Sequence, residues 1–486
     1  MSASPALAAV KARARKAGLR FWMQRVLEEC DRARVNFAPD PVHDLRVALR
    51  RCRSIADGFI ALDPDPAWKE MKKAGRRLFS RLGELRDVHV MQEWVGKLAA
   101  PSDPAATALL QFLAARENEL KQEAALALTE FDRKQWKRWS ITLPRRTPRL
   151  RQGSVIFKHL ALERWMYAHD LHRRALRSRS RIAFHKLRIG IKRFRYIVEN
   201  FLPQQHSAWS SDLKRLQDLL GEVHDLDVLW STATQIRAFP DQQSQMQWQQ
   251  KIADERQQRI EAYREKMLGR SSLWRAWRAE LPQGQQIAAT ALARLRLWAS
   301  LLDPDFRHSV HVTRLALQLY DGLTNGKSQV AEERAILEVA ALLHDVGRSQ
   351  DERGHHKASY RLIRRLPPPL GWSGESLHLV ALIARYHRGV LPGGRQATLR
   401  VLSPPERRLV LRLAGILRLA NAFDADRHGR VHRLAITQRN GFITVAAQNY
   451  SSQSNVAEAV AAARHLLEVV YRRPVLVKPM RIPKTI

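Results

Sequence analysis

Apolar side chains recur along most of this chain at the three- and four-residue steps of an amphipathic helix. One such stripe comprises Leu45, Leu49, Cys52, Ala56 and Phe59, and a second comprises Leu187, Ile191, Phe194, Val198 and Phe201. Steps of this size place side chains on one face of a helix. The pattern predicts amphipathic helices over both segments, and similar periods from residue 306 onward predict more helices in the second half.

The two stripes belong to an internal repeat. The segment AFHKLRIGIKRFRYIVENF at 183–201 matches PVHDLRVALRRCRSIADGF at 41–59 with a constant offset of 142 residues. Farther along, LLGEVHDLDVL at 219–229 matches RLGELRDVHVM at 81–91. Two matching pairs in the same order indicate a duplicated unit of about 140 residues.

Each repeat also carries one histidine and three cations at helical spacing on another face. These residues are His43, Arg46, Arg50 and Arg53 in the first repeat, and His185, Arg188, Lys192 and Arg195 in the second. Like charges at such spacings repel one another along a helix. A solvated helix face would explain one stripe, but the recurrence of the stripe in the same phase favours an anion-binding surface.

The charge of the whole chain narrows the choice of partner. Lys and Arg number 83 against 47 Asp and Glu, which gives a formal net charge of +36. Such a surplus attracts polyanions, so the candidates are nucleic acid, an anionic membrane surface and inorganic phosphate chains. Because no run of about 18 apolar residues occurs, we predict no membrane span and a cytoplasmic protein.

The duplicated histidine helices, together with LGELRDVHV and LGEVHDLDV, resemble the CHAD family, the conserved histidine α-helical domain. The resemblance covers residues 5–270 and implies two four-helix bundles around a basic pore or groove that binds inorganic polyphosphate. The contacts that it implies are the eight residues of the two cationic stripes. His224 stands where Arg86 stands in the first repeat, so the equivalence of these two positions is open.

Nucleic acid is the rival polyanion for the same surface. Arginine forks suit phosphate oxygens in either ligand. Sites for single-stranded nucleic acid also use aromatic side chains for base stacking, and the stripes have only Phe194 and Tyr196 nearby, both in the second repeat. The scarcity of aromatic residues favours polyphosphate.

The second half carries histidines near the ends of its predicted helices. His344 and Asp345 are adjacent on an apolar helix, and His308 lies upstream. A buried carboxylate beside an imidazole is costly unless a cation or hydrogen bonds balance it. These three side chains form a nitrogen and oxygen donor set suited to Mn, Fe, Zn or Mg.

The motifs LLHDVG, GHHKASYRLI, ARYHRGVLP and LRLAN resemble the HD phosphohydrolase superfamily, and more narrowly the C-terminal HD domain of the exopolyphosphatase and guanosine pentaphosphatase family. The resemblance implies His308, His344 and Asp345 as metal ligands, with Asn421, a weaker ligand, at the final acidic position. His344 and Asp345 would be the catalytic pair of an active centre that holds one divalent metal (Mn, Mg, Fe or Zn); an inactive domain would hold none. Phosphate contacts in this domain are expected at His356, Lys357, His387 and Arg388.

The last stretch predicts two strands around an Asn440-Gly441 turn, then a helix and a final strand. The predicted fold class is therefore mainly α, with a duplicated four-helix-bundle repeat, an all-helical HD-like domain and a small α+β C-terminal segment. The predicted bounds are 5–275 for the duplicated domain, with repeats at 5–140 and 150–275, then 290–430 and 431–486.

The predicted function is polyphosphate binding by the duplicated domain, with further phosphate contacts in the HD-like domain. An active metal-dependent HD phosphohydrolase acting on polyphosphate or a phosphorylated nucleotide is the alternative, and nucleic-acid binding is a weaker one. The protein is expected in the cytoplasm or at polyphosphate granules. The sequence predicts neither the oligomeric state nor the preferred chain length of polyphosphate.

Overall fold

The structure is a computed structural model that describes residues 18–324, 331–393, 396–439 and 441–480. The chain forms two compact units, Met1–Gln283 and Gly284–Ile486. Helices make up most of the regular structure, and a three-stranded sheet lies near the C-terminus. The mainly α fold with a small α+β segment is thereby confirmed. The predicted domain start at residue 5 lies outside the described residues.

The first unit consists of two helical repeats. The first repeat comprises α1 Leu19–Asn36, α2 Pro39–Ile60, α3 Ala67–Ala74, α4 Arg76–Leu98, α5 Pro104–Thr129 and α6 Arg133–Thr142. The second comprises α7 Val155–Ser178, α8 Arg181–Phe201, α9 Pro203–Gln235, α10 Gln242–Met267 and α11 Leu273–Ala279. Each repeat has four long helices, and two short 3-10 turns, Leu143–Arg145 and Thr147–Arg149, lie between the repeats.

The helices that carry the cationic stripes have identifiable start and stop signals. Pro39 lies in the first turn of α2, where its missing N–H leaves no helical hydrogen bond unmade. Ser180 caps α8, because its hydroxyl accepts a hydrogen bond from the backbone N–H of Ala183 at 3.2 Å. Pro203 starts α9 directly after α8 ends at Phe201. The apolar stripes of α2 and α8 are buried.

The two repeats meet where α2 packs against α8 and α4 packs against α9. The approach is close at Gly58, where an added Cβ would lie 2.2 Å from Cε2 of Phe201. Nearby, Asn200 Nδ2 donates a hydrogen bond to Ser54 Oγ at 3.0 Å. This packing brings the cationic stripes of α2 and α8 to the same junction.

The second unit is a helical domain with a small sheet on one core. Its helices are α12 Gln285–Leu302, α13 Phe306–Thr324, α14 Ala331–Leu343, α15 His355–Arg365, α16 Gly374–Arg385, α17 Ala397–Arg400 and α18 Pro404–Ala422, with a 3-10 turn at Val346–Ser349. Buried side chains from these helices and from the sheet form one continuous hydrophobic core. The apolar residues whose spacing predicted the helices are therefore the ones that pack together in this core.

The C-terminal segment comprises β1 Leu434–Arg439, β2 Phe442–Ala447, α19 Asn455–Ala463, α20 His465–Tyr471 and β3 Val475–Pro479. Strand β2 pairs antiparallel with β1 and parallel with β3. The single helix predicted here is two short helices separated by Arg464. Asn440 of the predicted turn lies outside the described residues, and Gly441 has a φ of +79°. Within the described part, no helix is long and apolar enough to cross a membrane.

Candidate functional site

The central cations of the two stripes lie close together across the junction of the repeats. Burial, and after it the charges of Arg188, Arg50 and Arg46, lower the pKa of Lys192 to about 7, although Asp87 acts in the opposite direction. These arginines must therefore lie close enough to Lys192 to disfavour its charged form. Residues 142 positions apart in the chain therefore contribute to one surface, which we call the basic junction: Arg46, Arg50, Arg188 and Lys192.

Asp87 and Asp225 lie near the basic junction, but three of its members are not ion-paired with them. Within the described residues, Arg50, Arg188 and Lys192 form no ion pair. Arg188 Nε is buried and has no hydrogen-bond partner there, whereas Arg46 Nη1 donates to the carbonyl oxygen of Leu82 at 2.8 Å. Buried donors are normally paired in native proteins. The junction therefore offers cationic donors that the protein itself does not satisfy.

The last cation of each stripe is engaged elsewhere. Arg53 Nη1 donates to the carbonyl oxygen of Lys72 at 2.7 Å, and its guanidinium lies over the ring of Phe79. Arg195 Nε lies 3.9 Å from a carboxylate oxygen of Glu199. The structure thus brings the middle of the two stripes together and holds their ends against other parts of the fold.

The histidines flank the basic junction, and they differ between the repeats. His185 Nδ1 lies 3.3 Å from His224 Nδ1. Burial, and after it the neighbouring Arg188 and His185, lower the pKa of His224 to about 4. In the first repeat, Arg86 is among the charges that lower the pKa of His43. His224 and Arg86 therefore stand beside the histidines of their own repeats, which places them at equivalent positions.

Many cations around the junction are neutralised. Arg81 pairs with Glu84 at 2.8 Å and with Glu123 at 2.9 Å. Further pairs join Lys72 to Asp57, Arg77 to Glu130 and Arg51 to Glu199. These cations are paired with carboxylates, in contrast to Arg50, Arg188 and Lys192 of the junction.

The second unit gathers the histidines of four segments around Asp345. Three of them are oriented by the carbonyl oxygen three residues earlier: His344 Nδ1 donates to Ala341 at 2.7 Å, His355 Nδ1 to Glu352 at 2.8 Å and His387 Nδ1 to Ala384 at 2.6 Å. A carbonyl oxygen can only accept. The Nε2 atom of each neutral ring is therefore an acceptor.

These Nε2 acceptors face the carboxylate. They lie 3.5 Å (His344), 3.3 Å (His355) and 3.7 Å (His387) from Asp345 Oδ1. His344 Nε2 is buried without a hydrogen-bond partner in the described residues. Burial lowers the pKa of His344 and His387, so protonation is disfavoured. Acceptors that converge on a carboxylate suit a bound cation, and the neutral rings fixed through Nδ1 are arranged as metal ligands usually are.

His308 completes this cluster from α13. Its Nδ1 lies 2.7 Å from Asp424 Oδ2, and its Nε2 lies 2.9 Å from Asn421 Oδ1. Because α18 ends at Ala422, Asp424 lies in the turn that follows the helix and reaches His308 from there. Asp424 therefore orients the His308 ring, and Asn421 takes the place nearest to its second nitrogen.

Donor atoms in two sets lie within 4.8 Å of one another: His308, His344 and Asp345, and Asp345, His355 and His387. Buried His and Asp groups can thus hold a divalent metal. Burial favours a higher pKa for Asp345, but the adjacent histidines and Arg427 lower the pKa well below its ordinary value. Arg427 Nη2 donates to Asp345 Oδ2 at 2.8 Å, on the side away from Oδ1.

A cavity of about 450 Å³ opens over this cluster. It is lined by His308, Asp345, His355, His387 and Asn421, and by the arginines Arg348, Arg388, Arg418 and Arg427. Arginine side chains beside a candidate metal site can bind phosphoryl oxygens in bidentate fashion. The arrangement suits a phosphorylated ligand.

The expected phosphate contacts of this unit separate in the structure. His356, Lys357 and Arg388 line a second cavity, whereas His387 lies in the Asp345 cluster. The sequence prediction did not assign His355 and Arg427 to the cluster. The HH doublet contains a usable signal, since adjacent helical residues point about 100° apart and only one of them can face a buried centre.

The comparisons with known proteins agree with the division of the chain into two units. A family model of the CHAD domain matches residues 18–234, and a model of Ppx/GppA phosphatase domain III matches residues 296–462. The resemblance to the CHAD family and the narrower one to the exopolyphosphatase and guanosine pentaphosphatase family are confirmed. The first unit carries the CHAD domain, and the second carries the Ppx/GppA domain III.

Among solved structures, the chain is similar to the crystal structure of the CHAD domain from the plant Ricinus communis. The sequence identity is 23%, the match covers 54% of this chain and 88% of that one, and the TM-score is 0.36. Among curated proteins there is no match. The two domain families are consistent with a polyphosphate-related function.

Proposed function

We propose that the protein binds inorganic polyphosphate at the basic junction. The observation that carries the proposal is the set of cations that form no ion pair within the described residues, Arg50, Arg188 and Lys192, at the contact between the two repeats. An anion at this place would accept hydrogen bonds from donors such as Arg188 Nε, which has no partner in the described residues. It would also relieve the repulsion that lowers the pKa of Lys192.

Polyphosphate fits this surface better than nucleic acid does. Its charge is dense and it carries no bases, so a rigid group of cations is sufficient for recognition. Two aromatic rings lie near the junction, Tyr196 and Phe79, and both are half-buried. The guanidinium groups of Arg46 and Arg53 lie over the ring of Phe79. Neither ring is exposed as a stacking platform of the kind that single-stranded nucleic acid uses.

A competition experiment tests this proposal. Long-chain polyphosphate and single-stranded DNA of equal total charge are titrated against the protein at ~150 mM salt, where counterion release has weakened non-specific contacts. We expect polyphosphate to bind more tightly. Equal affinities would contradict the proposal and favour a general polyanion surface.

The second candidate function is metal-dependent phosphohydrolysis in the second unit. The observation that favours it is the convergence of three histidine acceptors on Asp345 Oδ1 beneath a cavity with several arginines. His308, His344, Asp345, His355 and His387 would hold the metal, with Asn421 as a weaker donor. A divalent metal would supply Lewis acidity toward a phosphoryl oxygen and favour an ionised water near neutral pH.

The protein groups have separate tasks in this scheme. Arg348 and Arg388 would bind the phosphoryl oxygens and hold the ligand over the cluster. Arg427 keeps Asp345 ionised and fixes its Oδ2, so that Oδ1 remains directed at the histidines. Asp424 fixes the ring of His308. Because Asp345 and His308 are held by contacts within the protein, a bound ligand would meet a cluster that is already arranged.

Metal analysis and phosphate release decide between binding and hydrolysis. The purified protein is measured for bound metal and for phosphate released from polyphosphate with Mn or Mg, alongside His344→Ala and Asp345→Ala. We expect metal in the unaltered protein and loss of both metal and turnover in the variants. An unaltered protein without metal or turnover would leave only polyphosphate binding, in the cytoplasm or at polyphosphate granules.

A further inference from the structure

A third cavity lies in the second unit, between α12, α14 and the turn that precedes α16. Its volume is about 300 Å³, which is at the lower end of the range for small-molecule sites. None of its described lining residues lines either of the cavities near Asp345. Its charged lining residues are the carboxylates Glu332 and Glu338. We call it the acidic cavity, and it belongs to a chain whose formal net charge is +36.

Most of the remaining lining of the acidic cavity is apolar. Leu292 of α12 and Ile336 and Val339 of α14 supply aliphatic surface. Three alanines of the same two helices also line it, and their side chains are too short to fill the space. Apolar walls of this kind gain free energy when hydrocarbon replaces water against them. The cavity therefore suits a ligand with a hydrocarbon part.

An aromatic ring completes this lining. Trp372 lies at the end of a turn in which its backbone N–H donates to the carbonyl oxygen of Pro369 at 2.9 Å. Gly371, the residue before it, has a φ of +93°, a conformation that favours glycine. A tryptophan ring packs against hydrocarbon and also attracts a cation to its face. Because Trp372 is half-buried, part of it stays accessible to such a ligand.

Glu338 is a half-buried carboxylate that forms no ion pair within the described residues. Burial raises its pKa, whereas Arg334 and Arg296 act in the opposite direction. Arg334 is bound to Asp321 through hydrogen bonds of 2.9 and 3.1 Å, and Arg296 is exposed. A carboxylate that is partly withdrawn from water gains most from a cation that enters the same cavity.

Glu332 provides a second carboxylate on the same helix. It is exposed, and it too forms no ion pair in the part of the chain that the structure describes. The rise along α14 between Glu332 and Glu338 is about 9 Å. A ligand that meets both carboxylates must therefore be elongated and carry two positive charges. Because charges more than about 8 Å away are largely screened at physiological salt, the net charge of the rest of the chain does not prevent a cation from binding here.

We propose that the acidic cavity binds a linear aliphatic diamine, or a polyamine that contains such a unit. One ammonium group pairs with Glu338 beside the ring of Trp372, the hydrocarbon chain lies along the apolar walls, and the second ammonium group pairs with Glu332. The site is separate from the proposed phosphate sites, because its carboxylates repel anions. It gives the protein a ligand of the opposite charge.

Isothermal titration of the full-length protein at ~150 mM salt tests the proposal with three small probes. Hexamethylenediamine, hexylamine and hexanediol share one carbon chain and carry two, one and no ammonium groups. We expect the diamine to bind about threefold to tenfold more tightly than the monoamine, because the second ammonium group meets an exposed carboxylate. The diol should give no measurable binding. Diol binding as tight as that of the diamine, or no binding of the diamine, would overturn the proposal.

Removal of single charges checks which carboxylates hold the diamine. Glu338→Gln should weaken its binding about tenfold and Glu332→Gln about threefold, since Glu338 is the more buried. Arg296→Gln removes a cation that competes for Glu338 and should tighten diamine binding about twofold. Glu458→Gln is the matched control, because Glu458 is exposed and lines none of the three cavities. Equal effects of Glu338→Gln and Glu458→Gln would contradict the assigned site.

A cavity-filling variant separates loss of the site from loss of the fold. Ala335 of α14 is half-buried in the lining, and leucine is nearly as good a helix former as alanine. Ala335→Leu should abolish diamine binding while the melting temperature stays the same or rises. Its affinity for long-chain polyphosphate should not change, because the two ligands use different sites. Unchanged diamine binding in this variant would show that the diamine lies elsewhere and that the proposal is wrong.

Discussion

The basic junction and the Asp345 cluster are built from the same kinds of side chain and have opposite requirements. At the junction, Arg46, Arg50, Arg188 and Lys192 lie close together, with the carboxylates of Asp87 and Asp225 nearby. In the cluster, histidine Nε2 atoms converge on one oxygen of a carboxylate. The first arrangement carries an excess of positive charge, whereas the second surrounds one carboxylate whose other oxygen is paired with Arg427. Histidine and arginine counts therefore do not identify a site until their orientation is known.

A smaller contrast separates the two repeats. The first pairs His43 with the neighbouring charge of Arg86, and the second pairs His185 with His224. Both repeats keep the cations of the basic junction, but the residue beside the histidine differs between them. His224 in the second repeat can gain a charge as the pH falls, whereas Arg86 in the first is always charged.

Charge reversal at the junction should produce the largest effect. The combined substitutions Arg46→Glu, Arg50→Glu, Arg188→Glu and Lys192→Glu should weaken polyphosphate binding by more than about a thousandfold, because several charged hydrogen bonds are lost and repulsion replaces them. Fluorescence titration measures the affinity, and far-ultraviolet circular dichroism checks that helicity survives.

The matched control for this charge reversal changes four paired cations, Arg77, Arg81, Arg116 and Arg133, to Glu. The change in net charge is identical. If the control variant lost as much affinity for polyphosphate, the net charge of the protein and not the basic junction would explain the loss.

Restoring a carboxylate in the cluster should give the next largest effect. Asn421→Asp should raise the affinity for Mn by about tenfold to a hundredfold, the range for changes beside metal ligands. It should also lower the melting temperature of the metal-free protein, since Asp424 and Asp345 are close. Asn421→Leu is the control and should lower the affinity for Mn. Unchanged affinity in Asn421→Asp would argue that this position does not face the metal.

Separation of the two repeats would test whether the junction depends on their packing. Gly58→Ala places a Cβ against the ring of Phe201 and should destabilise the first unit by about 1–3 kcal/mol. Polyphosphate affinity should fall at the same time, because α2 and α8 move apart. Gly221→Ala on α9 has no atom within 4 Å of the added Cβ and should stabilise by up to about 1 kcal/mol. Urea unfolding measures the stability of both variants, and titration with polyphosphate measures their affinity. An unchanged affinity in Gly58→Ala would show that binding does not depend on this packing.

The smallest predicted effect is the pH dependence of polyphosphate binding. With a pKa of about 7 for Lys192 in the free protein, the lysine is charged below pH 7 and neutral above it. A bound phosphate favours the charged form, so affinity should be full at pH 6 and roughly tenfold lower at pH 8.

Lys192→Arg keeps the positive charge across this pH range and should remove most of the fall in polyphosphate affinity between pH 6 and pH 8. Titrations of the two proteins between pH 6 and 8 decide the matter. The same slope in both proteins would assign the titration to another group.

Much of the architecture followed from the sequence alone. The apolar steps on α2 and α8 predicted helices because a buried stripe must repeat with the helical period, and the in-phase repeat predicted the duplicated fold. The prediction of one helix between β2 and β3 was wrong in that two short helices lie there. The periodicity of that alanine-rich stretch contains no signal that separates them.

The residues of the cluster were only partly recoverable. His344 and Asp345 could be singled out, because two adjacent polar residues in an apolar helix need a partner. The His355-His356 doublet indicated only that one of the two could face a buried centre. The roles of Asp424 and Arg427 could not be predicted, because they depend on contacts between segments distant in the chain. The preference for His387 as a phosphate contact reflected its basic neighbours along the sequence, whereas its ring turns toward Asp345.

The sequence by itself determined which faces of the helices are apolar and which carry cations, since both follow from residue spacing. Tertiary structure decided which charges remain without a partner. Arg53 and Arg50 look alike along α2, yet one is bound to a backbone carbonyl and the other is left at the junction. That difference arises from packing, because the partners that neutralise a charge come from other helices.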